Sequence, residues 1–222
     1  MTRRRAVTIV VLVVAVAAAG LWIAADRPPT WYAPPASDDA VAAEVGGAFE
    51  HRLVSTVSRV RSDEEPWAVR ISEEQVNAWL ATRLPAWLRH VGAEPPEQAP
   101  QVRLLDGAFV LAAPLGRRMV SATIAPELRD AGLRFEIGGA ALGAIPLPVA
   151  GRERIAALAR TLLGGADDEA ARTALALLEG RPLAPTQTLG DGRTVELLAI
   201  EVHDGEVLLQ FRTVRASPTS RP

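Results

Sequence analysis

Apolar residues run along this chain in three rhythms. The first is unbroken: residues 6–25 read AVTIVVLVVAVAAAGLWIAA, with no charge and one hydroxyl, Thr8. A helix needs about 20 apolar residues to cross a bilayer core of about 30 Å. Arg3, Arg4 and Arg5 stand just before the run and Asp26-Arg27 just after it. Clustered Arg holds its side of a span in the cytoplasm. The pattern predicts a cytoplasmic Arg cluster and transmembrane signal-anchor over 1–25, with Trp22 near the outer boundary and everything after Asp26 extracytoplasmic. A cleaved signal peptide is the rival reading. Its apolar stretch is usually about 7–15 residues, shorter than this one, although Ile23 and Ala25 would permit weak cleavage.

The second rhythm has helical spacing. A Pro-rich linker, residues 26–36 within DRPPTWYAPPAS, cannot continue a helix and favours an extended, stiff spacer. Trp31 and Tyr32 lie inside it, placed either to rest at a membrane interface or to cover the domain. Ser37 then reads as an N-cap, with Asp38 and Asp39 complementing the helix dipole. Val41, Val45, Phe49, Leu53, Val57 and Val60 follow on one face of a helix of about 24 residues, weakened in its middle by Gly46-Gly47. A further helix begins at Ser72, which forms a capping box with Gln75. It carries Val76, Trp79, Leu80, Leu84 and Trp87 on one broad face. Pro85 stops or kinks it near Leu84. Core packing is the expected role of Trp79 and Trp87, with a ligand-lining wall as the alternative. Arg83, four residues from each, is expected over an indole face or snorkelling outward. Asn77, at the border of the stripe, is placed to tie down a neighbouring loop.

The third rhythm alternates. WAVRI (67–71) reads as a strand. Asp106-Gly107 lies between two apolar runs, a strong hairpin signal. Residues 117–143 read as a second hairpin or meander, in which Val120, Ala122 and Ile124 alternate with Met119, Ser121 and Thr123. Leu133, Phe135 and Ile137 likewise alternate with Arg134 and Glu136. A third hairpin turns at Asp204-Gly205. Between the second and third, Ile155, Leu158, Leu162 and Leu163 mark one helix, and Leu175 and Leu178 another. The predicted fold is α+β: a transmembrane helix, then one extracytoplasmic domain (37–215) with a curved antiparallel sheet of about six strands packed on helices. The tail, 216–222, is expected to be disordered.

Composition removes several chemistries. The chain has 222 residues and no cysteine, which excludes disulfides, zinc–thiolate sites, iron–sulfur clusters and cysteine nucleophiles. All 24 basic residues are Arg. His51, His90 and His203 are scattered, so no metal site is expected. The net charge is −2. Beyond the N-terminal Arg triplet the chain is mildly acidic, unlike a nucleic-acid binder. No nucleophile elbow, P-loop, dinucleotide fingerprint, zinc-protease motif or EF-hand loop is present. Asp38-Asp39, Glu73-Glu74 and Asp167-Asp168 sit at predicted helix starts, where the dipole accounts for them, and Glu64-Glu65 sits in a helix-to-strand turn. No catalytic residue and no cofactor is predicted.

The order of ISEEQVNAWLATRL, the LLDGAFVLAA hairpin, LRFEIGGAALGAIPLP and a helix after the prolines resembles the YpmS-type group of small, membrane-anchored, extracytoplasmic bacterial proteins. It is loosely similar to tubular lipid-binding domains. The resemblance covers roughly residues 65–165 and implies topology, location and a hint of lipid handling. The second helix pair and the last hairpin depart from it, and it transfers no catalytic residue.

Two functions follow. One is a non-catalytic module of the cell envelope, anchored in the cell membrane, that presents Trp79, Arg83, Trp87 and Asn77 to an envelope protein. The other is a lipid- or acyl-chain-binding domain with an apolar groove between sheet and helix, where Leu80 and Phe135 would line the space and the small residues of 138–144 would leave room. No nucleic-acid partner is expected.

Overall fold

The computed structural model describes residues 26–61, 65–90, 92, 94–115, 118–147 and 181–215. Three short helices and nine strands are found there: α1 (Ala40–Ser58), β1 (Pro66–Ser72), α2 (Glu73–Thr82), α3 (Leu84–His90), β2 (Gln101–Leu105), β3 (Ala108–Leu115), β4 (Arg118–Arg129), β5 (Gly132–Leu142), β6 (Ile145–Leu147), β7 (Thr186–Thr188), β8 (Arg193–His203) and β9 (Glu206–Arg215).

The expected single curved sheet of about six strands is corrected to a mostly-β fold with two antiparallel sheets. One has four strands in the order β1-β9-β8-β7, and the other is a five-stranded meander, β2 to β6. The hairpins turn where the sequence placed them, at Asp106-Gly107 and Asp204-Gly205. What local pattern left out is that β1 pairs with β9, at the far end of the chain. That pairing separates the last hairpin into its own sheet. The predicted transmembrane helix falls on residues 1–25, outside the described residues. Among the described residues no helix is long and apolar enough to cross a membrane. The longest, α1, is interrupted by Glu44, Glu50, His51 and Arg52. The helices expected within 148–180 and the tail from 216 also lie outside the described residues.

Alternation decides which face each strand buries. In the four-stranded sheet Trp67, Val69 and Ile71 face the same way as their partners Phe211, Leu209 and Val207. The other face carries Arg70, Gln210 and Glu201 among smaller apolar residues, and Arg212 pairs there with Glu196 directly across the ladder at 2.6 Å. In the five-stranded sheet Ile124 lies opposite Ile137, and Pro126 opposite Phe135. Phe135 meets Phe109 edge-to-face, with centroids 6.2 Å apart. Each sheet has one bulge: Leu198 is the extra residue between β8 and β9, and Gly138 the extra one between β4 and β5. An extra residue raises the local twist, and strand β8 packs against β2, β3 and β4 of the other sheet. Val69, Ile71, Val195 and Val202 from one sheet, with Leu104, Ile124 and Ile137 from the other, are buried.

The two Asp-Gly turns hold one another. Gly107 N–H donates to Val202 O at 2.9 Å and Gly205 N–H to Leu104 O at 3.3 Å. Asp204 N–H donates to Asp106 Oδ1 at 3.1 Å. Gly107 and Gly205 sit at φ 75° and 78°, the left-handed region that favours glycine in such turns.

Helix α1 differs from its predicted form. Asp39, not Ser37, is the N-cap, accepting from Val41 and Ala42 N–H. The helix has 19 residues and its buried positions are Ala42 and Gly46. Val41 and Val60 of the expected stripe are 70% and 71% exposed. The reason is the helix crossing. A Cβ on Gly46 would stand 2.9 Å from Thr82 Oγ1 and 3.0 Å from Ala78 O. Small residues let α1 lie close on α2, so Gly46 sets the contact face where the larger side chains had been expected to.

Candidate functional site

Helix α2 follows β1 without a loop. Ser72 Oγ accepts from Gln75 N–H at 3.3 Å while Gln75 Oε1 accepts from Ser72 N–H at 3.1 Å, the reciprocal box foreseen in the sequence. From that start the helix presents three different surfaces.

The first meets the edge of the five-stranded sheet. Strand β2 is the edge strand, and its outward peptide groups at Val102 and Leu104 need partners. Asn77 supplies two: its Nδ2 donates to Val102 O at 2.8 Å and its Oδ1 accepts from Val102 N–H at 2.7 Å. Leu104 N–H donates to Glu73 Oε2 at 2.7 Å, and Leu104 O takes the Gly205 N–H. Asn77 thus binds as a short piece of strand would. It is buried and faces a strand edge, not a loop.

The second surface meets α1. Ala78, which is buried, and Thr82 face Gly46 there. Arg83, the C-cap residue, donates from Nε to Glu50 Oε2 at 2.8 Å. This hydrogen bond holds the Glu50 carboxyl below the ordinary carboxylate range, aided by the Arg83 charge and the Trp79 indole and opposed by desolvation. Arg83 therefore lies on a carboxylate, with no indole beneath it.

The cation–π contact forms elsewhere. Arg61 sits 4.0 Å above the Trp67 ring, and Trp67 stacks on Phe211 with centroids 4.7 Å apart. Trp67 Nε1 donates to Thr213 Oγ1 at 3.1 Å, and Thr213 is 1% exposed. Arg61 Nη1 also donates to Thr56 O, and Arg193 donates to Ser58 O and Arg59 O. Two guanidinium groups thereby cap the carbonyl end of α1, where cations are favoured. Burial, with Arg59 and Arg193 nearby, lowers the Arg61 pKa. The alternation of WAVRI, which puts Trp67 with Val69 and Ile71, was the one sequence signal that could have singled out Trp67.

The third surface is open. Arg83 ends α2, and α3 restarts at Leu84-Pro85, so the helix breaks where Pro85 predicted it would. No residue of α3 is buried, and Trp87 is 43% exposed. The expected core role of Trp87 is corrected, while Trp79 is half-buried. Beside this corner lies a cleft of about 390 Å³. Leu80, Ala81, Leu84, Pro85 and Arg89 form one wall, Pro34 to Ser37 a second, and Pro95 to Pro100 a third. Its walls are proline-rich, with Arg89, Glu97, Gln98 and Ser37 adding polar groups. Tyr32, next to the second wall, donates its hydroxyl to Ala99 O at 2.7 Å, and burial raises its pKa.

Of the residues expected to act together, Asn77, Trp79, Leu80 and Arg83 share α2 and Trp87 adjoins them. Phe135 does not join them, because it packs on Phe109 within the five-stranded sheet. Among the described residues no group of three or more His, Asp or Glu side chains is placed to hold a metal ion. Comparison of the chain with family models, with curated proteins and with solved structures finds no match.

Proposed function

We propose that this domain is a non-catalytic interaction module of the cell envelope, whose partner docks on the corner between α2 and α3. The observation that carries the reading is the exposed Trp87, on a helix that buries none of its residues and that lines a proline-walled cleft through Leu84, Pro85 and Arg89. Trp and Arg supply a large share of interface energy when they become desolvated, and Trp87 has Arg89 and Arg83 beside it in sequence. The proposed membrane location draws on Arg3, Arg4, Arg5 and the uncharged run that follows.

A photocrosslinking residue at position 87 of the full chain tests this in the producing cell. The same residue at Val41, 70% exposed on α1, is the control. A discrete adduct from position 87, missing from 41, supports the corner as a docking face. The same products from both positions, or none from 87, would overturn it.

A second reading, binding of an acyl chain, draws on the same cleft. Its volume lies within the ordinary range for ligand sites, and Leu80 and Leu84 line it. Native mass spectrometry of the purified chain would reveal a retained lipid, and Leu80→Glu would abolish that mass while leaving the fold intact.

A further inference from the structure

The proline-rich segment before α1 lies on the domain. Asp26 pairs with Arg118 at the start of β4, at 3.6 Å. Tyr32 reaches Ala99 O, and one residue later Ala33 N–H donates to Gln101 Oε1 at 2.6 Å. Tyr32 N–H closes a turn onto Pro29 O at 2.9 Å. The contacts of Tyr32 with Ala99 and of Ala33 with Gln101 join parts of the chain 67 and 68 residues apart.

The manner of attachment matters. Pro28, Pro29, Pro34 and Pro35 have no N–H, so the segment cannot be sewn down by a strand ladder. It is held through side chains, a phenol, an amide and a carboxylate, each of which can let go alone. Twelve residues released from such contacts could extend about 40 Å. The segment also does more than cross the surface: Pro34 to Ser37 are one wall of the cleft, opposite Leu80, Leu84 and Pro85.

We infer that residues 26–37 are a latched strap that gates this cleft, with Tyr32 as the main latch and Gln101 as the second. Closed, the strap leaves a narrow, proline-lined space. Open, it uncovers the apolar side of the α2–α3 corner. The inference holds whatever the cleft binds, and so stands apart from the function proposed above.

Two measurements on the purified full chain test it. Chymotrypsin cleaves after Trp31 and at position 32, and accepts Phe as readily as Tyr. The wild-type strap should be cut far more slowly than an unfolded peptide of the same sequence. Tyr32→Phe keeps the ring and removes one hydrogen bond, and should speed cleavage roughly three- to tenfold, with amide exchange of β3, β4, β8 and β9 unchanged. Gln101→Ala should do the same to a smaller degree, and decides the matter if Tyr32→Phe perturbs the sheets. Because the chain has no cysteine, Leu84→Cys provides a single thiol on the opposite wall. Its alkylation should accelerate by a similar factor when Tyr32→Phe is added. Immediate cleavage of the wild-type strap, or no acceleration in either latch variant, would overturn the strap. Faster cleavage without faster alkylation would overturn the gate.

Discussion

Trp67 and Trp87 sit in opposite circumstances. Both have arginines close by in sequence, and both stand in an element of seven residues. Trp67 has Arg61 on one ring face, Phe211 on the other and Thr213 at its indole nitrogen. Trp87 lies on a helix with nothing buried. The difference comes from strand register. Trp67 alternates in phase with Val69 and Ile71, and β9 arrives from 146 residues away to place Phe211 and Thr213 against it. Trp87 follows Pro85, which ends the packed part of its helix before the indole can share in it. One ring is spent on the fold and the other is left for something outside it.

Substitution should separate the two rings most clearly. Trp67→Ala should cost about 3 kcal/mol in chemical denaturation, the lower end for a large aromatic, since Trp67 is half-buried. Trp87→Ala should stay within about 0.5 kcal/mol, as an exposed position does. Equal losses from the two would erase the contrast.

The next effect sharpens the same division within α2, whose buried polar residue belongs to the fold and whose open end does not. Asn77→Ala leaves the Val102 N–H and C=O without partners, which should cost about 2–3 kcal/mol. In exchange-detected mass spectrometry the Val102 amide should lose its protection while the β3–β4 amides keep theirs. Uniform loss across the sheet would mean that Asn77 supports more than one edge.

Thr213→Val retains shape and removes the acceptor of the Trp67 indole. A loss of about 1 kcal/mol is expected, with a shift of tryptophan emission that Trp87→Phe does not cancel. No change in either would show that the Trp67 site depends on stacking alone.

The smallest effect concerns the link between α1 and α2. Arg83 lowers the Glu50 pKa from its ordinary value near 4.5. A depressed carboxyl stabilises the fold above its unfolded pKa, and the benefit fades as pH falls through the folded one. Wild type and Arg83→Ala should therefore differ slightly at neutral pH and converge as the pH falls through the lowered pKa of Glu50. The gap should shrink in salt, since the pair is solvent-exposed. A gap that persists at low pH would assign Arg83 a role beyond this carboxylate.

Much of the secondary structure is legible in the sequence. The Ser72–Gln75 box, the break at Pro85, and both Asp-Gly turns depend on neighbours within a few residues, and the structure has them where the sequence put them. The partition into two sheets was not legible. Nothing in WAVRI says that its partner is VLLQF and not the nearer LLDGAF, because alternating apolar strands fit either edge. The α1 stripe was legible only in part, for a related reason: Val45, Phe49, Leu53 and Val57 are half-buried, while Val41 and Val60 at its ends are exposed. Large apolar side chains signal burial only if the facing helix leaves room, and the close approach of Ala78 and Thr82 of α2 calls for Gly46 instead. The Arg–Trp contact was expected four residues along a helix and formed between a helix end and a strand, since Glu50 offers Arg83 a full charge where an indole offers only a quadrupole. The α2–α3 corner was located by its aromatic residues. The cleft beside it was not, because two of its walls are proline segments with no periodic signal.

The pairing of β1 with β9 has a consequence in time. A ribosome adds about 5–20 residues per second, so Trp67 waits on the order of ten seconds for Phe211 and Thr213 to be made. During that interval β1 is an apolar strand without neighbours, and the first sheet cannot begin until the second is nearly complete. Pairings of such long range fold slowly, and a chain interrupted before β9 has nowhere to put Trp67, Val69 and Ile71. Pro66 and Arg70 lie on the edge of β1 that stays open afterwards, where a missing N–H and a charge discourage another chain from pairing there.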